Sequence, residues 1–150
     1  MKSVLSLTTL LIATFFSSLT AQAETAAAPL DGKSAGTAAE LFLAGYIKSI
    51  DGKKPLDSNT AWVAKTKLAT PEFKAAFKKA MSDKELEVDP VIFAQDVPIT
   101  PFKAESSKVK GDTATVVVSG KYNEKEFSKL KVTLVAKDGR WLVSKIARAN

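Results

Sequence analysis

Leu130-Lys131-Val132-Thr133-Leu134-Val135-Ala136-Lys137-Asp138-Gly139-Arg140-Trp141-Leu142-Val143-Ser144-Lys145-Ile146 is the stretch that decides the fold. Leu130, Val132, Leu134 and Ala136 alternate with Lys131, Thr133, Val135 and Lys137, which in an extended chain places an apolar row on one face of a sheet. Asp138-Gly139 supplies the residues that a tight hairpin needs, because both accept the left-handed backbone region. Arg140 to Ile146 therefore returns as an antiparallel strand. In a regular strand Trp141 and Val143 would share one face and Leu142 and Ile146 the other, so a bulge or burial on both faces is expected.

Working towards the N-terminus, Ala114, Val116 and Val118 alternate with Thr115, Val117 and Ser119, and Phe102 and Ala104 alternate with Lys103 and Glu105. Lys110-Gly111-Asp112 is the turn between these runs, which makes four consecutive strands. Ahead of Asp89-Pro90 the period becomes helical. Thr70-Pro71-Glu72 opens one helix, with a capping hydroxyl and a proline whose missing amide costs nothing there, and Phe73, Ala76, Phe77, Ala80 and Met81 form its core stripe. Leu43, Tyr46, Ile47 and Ile50 form another stripe, with Ala39 and Phe42 beside it. The capping-box spacing Thr37-Ala38-Ala39-Glu40 predicts the start of that helix and Asp51-Gly52 its stop. A shorter helix is predicted around Asn59 to Leu68. Helices followed by a meander define an α+β class, with N-terminal helices packed on one face of a curved antiparallel sheet.

The N-terminus reads as an address. Met1-Lys2 gives a positive start, Val4 to Phe16 is mostly apolar, and Ala21-Gln22-Ala23 has the small-residue pattern of a signal-peptidase site. The expected organisation is a signal peptide over 1–23, a leader over 24–36 and one domain over 37–150, located in the periplasm or outside the cell. A retained anchor fits less well, since Ser and Thr dilute the apolar run, so no stable membrane anchor is expected after cleavage.

The 150 residues contain no cysteine and no histidine, which excludes disulfides, thiol and Ser-His nucleophiles, and the usual zinc, haem and iron–sulfur ligand sets. Net charge is +6 at pH 7, one less once Lys2 leaves with the signal. The excess is mostly lysine spread along the chain, with arginine only at Arg140 and Arg148, so no nucleic-acid partner is expected. No glycine-rich phosphate loop is present, and no cofactor is expected.

Leu41-Phe42-Leu43-Ala44-Gly45-Tyr46-Ile47, Asp89-Pro90-Val91-Ile92-Phe93-Ala94-Gln95-Asp96 and the ending Asp138 to Ile146 together resemble bacterial envelope proteins of the domain of unknown function 3828. The likeness covers most of Thr37 to Arg148. It implies the nuclear transport factor 2-like, or cystatin-like, architecture, a cone in which helices close over a bent sheet and leave a pocket. It implies no particular activity, since that superfold hosts enzymes, carriers, immunity proteins and scaffolds. Several proteins of that kind are lipoproteins, which a chain without cysteine cannot be.

In such a cone the segment Asp83 to Asp96 lies near the pocket rim. Asp89, Gln95 and Asp96 could there orient a polar ligand, or could satisfy loop amides as Asp and Gln commonly do. Tyr46, Trp141 and Lys145 are the other candidate ligand-binding residues, an aromatic pair with a lysine, provided that the last strand is regular. No Asp-x-Asp-x-Asp-Gly loop exists, and no metal is expected. Two functions follow. One is a non-catalytic domain binding a small envelope ligand or a protein partner, including an immunity or inhibitor role, with homodimerisation through the sheet left open. The alternative is a hydrolase of cell-envelope sugars with Asp89 and Asp96 as acid and base, which requires both carboxylates to face one cleft.

Overall fold

The computed structural model describes residues 30–50, 55–124 and 127–149. The signal sequence, leader residues 24–29 and the Asp51-Gly52 stop lie outside the described residues. Helices α1 (Gly32–Ile50), α2 (Pro55–Lys65) and α3 (Pro71–Met81) precede strands β1 (Lys103–Lys110), β2 (Thr113–Lys121), β3 (Phe127–Lys137) and β4 (Arg140–Arg148). The strands form one open antiparallel sheet in the order β1-β2-β3-β4, with the helices against one face, an α+β fold. Among the described residues, no helix is long and apolar enough to cross a membrane.

Helices α1 and α3 begin where a side chain takes up free amides. Oδ1 of Asp31 accepts from the Ser34 amide at 2.7 Å, while the Asp31 amide donates to Ser34 Oγ at 3.0 Å, a reciprocal cap. Helix α1 therefore starts ahead of the predicted Thr37, and residues 32–36, expected to end the leader, form its first turns. The Thr37–Glu40 pair fails as a cap because both side chains have other partners. Thr37 Oγ1 donates to the Lys33 carbonyl at 3.1 Å, and Glu40 Oε1 accepts from the Ala104 amide at 2.8 Å. Helix α2 starts and ends earlier than the expected 59–68. The chain beyond it is drawn into a short parallel bridge with β4, in which the Thr70 amide donates to the Val143 carbonyl and the Val143 amide to that of Leu68, both at 2.9 Å. Thr70 caps α3 as predicted, accepting from the Phe73 amide at 3.2 Å.

The β4 irregularity is a bulge. Lys145 pairs with Thr133 and Val143 with Leu134, leaving Ser144 as the extra residue. Parity resets there, so Trp141, Val143 and Ile146 share the inner face, and Leu142 and Lys145 the outer one. This corrects the regular-strand expectation that grouped Ile146 with Leu142 and Lys145 with Trp141. On the inner face Ala114, Val116, Val118, Leu130, Val132 and Leu134 are fully buried beneath Ala39, Phe42, Leu43 and Tyr46 of α1. Each large apolar side chain so buried contributes about 1.5–3 kcal/mol relative to exposure. Phe42 meets Trp62 and Phe73 edge-on, both at 5.3 Å between centroids. Gly45 lets α2 come this close, since a Cβ there would overlap the Trp62 indole.

Candidate functional site

Tyr46, fully buried on α1, donates its phenolic hydrogen to Asp89 Oδ2 at 2.5 Å and accepts from Asn59 Nδ2 of α2 at 3.2 Å. The second Asp89 oxygen accepts from the amides of Val91 at 2.8 Å and Ile92 at 3.0 Å. The main chain closes the same turn, with the Asp89 amide on the Ala94 carbonyl and the Phe93 amide on that of Asp89. Phe93 sits at φ +54°, in the left-handed region, and its carbonyl accepts from Arg148 Nη2 at 2.6 Å. Burial first, and the Asp89 carboxylate next, push the Tyr46 phenol far above its ordinary range.

These bonds make Asp89 a latch between loop 89–94 and the helices. Both of its oxygens are engaged within the protein, one of them by two loop amides, which removes Asp89 as half of an acid and base pair. Asp96 is exposed and lies outside the residues lining the groove of about 410 Å³ beside Asp89. Gln95 borders that groove from an exposed position, with Nε2 3.5 Å from the Glu87 carbonyl. Asp89 and Gln95 thus border one groove, and Asp96 does not join them there.

The expected trio of Tyr46, Trp141 and Lys145 is not assembled either. Trp141 Nε1 donates to Ser34 Oγ at 3.1 Å, at the start of α1, whereas Tyr46 lies about 18 Å further along the helix axis at 1.5 Å per residue. Lys145 stands on the outer face because of the Ser144 bulge.

Trp141 instead borders a groove of about 500 Å³ that the sequence reading missed. Leu30, Ala38, Leu41, Leu68 and Trp141 line its apolar part, and Lys33, Lys67 and Arg140 bring positive charge to it. Leu41 is 56% exposed and Leu30 39%. The signal for this groove was Leu41 itself, a leucine off the buried stripe of α1 and thus on a face that a core-facing helix normally keeps polar. Asp31 also borders it, its carboxyl held below the usual range first by the Ser34 amide and then by the Ser34 hydroxyl. Two of the cations that border the groove come from separate segments, Lys67 from the α2–α3 link and Arg140 from the β3–β4 hairpin.

No protein-family model matches the chain, and no curated protein matches it. Among solved structures it is similar to a chain of the native type VI effector–immunity complex Tae3–Tai3 from Ralstonia pickettii. That likeness has 19% identity and a TM-score of 0.59, over 76% of this chain and 94% of the other. It is also similar to a protein of unknown function from Bacteroides thetaiotaomicron, with 20% identity, a TM-score of 0.57 and coverage of 77% and 90%. At these identities the likeness shows a shared fold.

Proposed function

We propose that this chain is an exported, non-catalytic binding domain whose partner is a protein, in the manner of an immunity protein or inhibitor, and that the Trp141 groove receives part of that partner. The observation that carries this reading is the groove itself, where Leu30 and Leu41 stand open to solvent next to Lys33, Lys67 and Arg140. Contiguous apolar surface rimmed by charge marks a place of contact. The fold shared with a chain of an effector–immunity complex supports the inhibitor version. The Met1–Ala23 signal supports export, and the segments quoted above support the likeness to the domain of unknown function 3828. A small amphiphilic anion is the second reading, favoured by a volume within the range of ligand clefts, roughly 300–1,000 Å³.

Native mass spectrometry of the protein purified without denaturant from its host, beside a Leu41→Asp variant, tests the proposal. An added mass of protein size that the variant lacks is the expected result. An added mass of a few hundred daltons that the variant lacks would select the small ligand, and identical spectra for both proteins would remove the groove as a binding site.

A further inference from the structure

The register gathers on one surface the lysines that looked scattered along the sequence. Across the outer face one row reads Lys108, Thr115, Thr133, Lys145; a neighbouring row reads Ser106, Val117, Lys131, Ala147; and another reads Lys110, Thr113, Val135, Leu142. Lys108, Lys110, Lys131 and Lys145 are exposed and surround a half-buried strip of Thr115, Val117, Thr133 and Val135. Lys121 and Lys137 extend the positive field on the same face. Glu105 is the acidic residue among the described strand residues, and its carboxylate is engaged by Lys129 at 2.7 Å.

We propose that the outer face of this sheet docks an acidic surface of another protein. A strip of threonine and valine inside a ring of solvated cations has the anatomy of a protein interface, with a weakly polar centre and a charged rim. A lipid surface fits less well, because adsorption draws on several bulky apolar side chains that enter the headgroup region, whereas the strip offers threonine and valine and the exposed ring of Phe127 stands at its end, with the Lys121 ammonium 5.6 Å from its centroid. A second copy of the chain fits least, since two such faces would meet with like charges, and this argues against the dimer through the sheet. Charge complementarity therefore selects an acidic protein. The inference does not rest on the Trp141 groove, because it needs nothing bound there.

Fluorescence anisotropy with labelled poly-L-glutamate tests it, beside co-sedimentation with vesicles of phosphatidylglycerol and phosphatidylcholine. Two variants with equal loss of charge are compared: Lys108→Gln with Lys131→Gln and Lys145→Gln on the sheet, and Lys65→Gln with Lys79→Gln and Lys84→Gln on the helical side, all exposed positions. At low salt the sheet variant should bind polyglutamate at least about tenfold more weakly and the helical-side variant less than about threefold, with both differences shrinking at about 150 mM salt. Equal losses in the two variants would overturn the proposal in favour of diffuse net charge. Vesicle binding stronger than polyglutamate binding, and lost in the sheet variant, would overturn it in favour of a lipid surface. Thermal melts check folding, and if the triple sheet variant does not fold, Lys108→Gln with Lys145→Gln carries the same comparison. Leu41→Asp should leave polyglutamate binding unchanged, so failure here and failure of the groove are told apart.

Discussion

The phenol of Tyr46 donates to Asp89 Oδ2 at 2.5 Å and so ties α1 to a loop 43 residues further along the chain. Tyr46→Phe keeps the edge-on ring contacts with Phe77 and Trp62 but leaves Asp89 Oδ2 and Asn59 Nδ2 without their partner. The expected cost is about 1–3 kcal/mol, read as a lower urea midpoint at an unchanged slope. The raised phenol also has a pH signature. Its contribution is complete below the ordinary value of 10.0 and is lost as pH rises from there towards the higher folded value, so the variant should lose less stability in alkali. Equal stability of the two proteins at neutral pH would show that loop 89–94 is held by other contacts.

Glu40 predicts behaviour in acid. The Ala104 amide first, and then Lys103 at 3.1 Å, hold its carboxyl below the ordinary value of 4.5. A depressed folded pKa contributes stability that is complete above the unfolded value and disappears as pH falls through the folded one. Glu40→Gln can still accept from the Ala104 amide, so it should fold. Its melting temperature should lie below that of the wild type at neutral pH and converge with it as pH falls below 4.5. Parallel curves across the acid range would show that the Glu40 charge contributes nothing.

Gly45→Ala opposes two effects of known sign. In the middle of a helix the change favours the folded state by up to about 1 kcal/mol. Here the new methyl would overlap the Trp62 indole, and such overpacking costs about 1–3 kcal/mol. The net expectation is a destabilised protein, seen in chemical denaturation, with the near-ultraviolet dichroism of tryptophan altered. A more stable variant would mean that α2 shifts away freely.

What the sequence made legible was local. Alternation from Leu130 to Ala136, the Asp138-Gly139 turn and the Thr70-Pro71 start are each settled within a few residues, and β3, its hairpin and α3 follow them. The true cap of α1 was missed because Asp31-Gly32-Lys33-Ser34 and Thr37-Ala38-Ala39-Glu40 both offer capping groups. The choice between them rests on Glu40 meeting Ala104, 64 residues away. How the candidate site residues group in space was hidden for the same reason. Whether Asp89 faces a ligand or a tyrosine is decided by packing between remote segments, and where Lys145 points is decided by one extra residue at Ser144. Trp141 was singled out from sequence, but its neighbours Leu30, Leu41 and Lys67 join it only in the folded chain.

The bond from Trp141 to Ser34 spans 107 residues and joins the first helix to the last strand. Ribosomal synthesis delivers α1 well before β4, so the apolar stripe of Ala39, Phe42, Leu43 and Tyr46 must wait for the roughly hundred residues between them before its cover is complete. Neighbouring strands can meet through short connections, but closing the helix over them depends on the most distant contacts and comes late. The nascent domain thus remains open until β4 has been made, and until then it can still be threaded through a narrow passage or held by a chaperone.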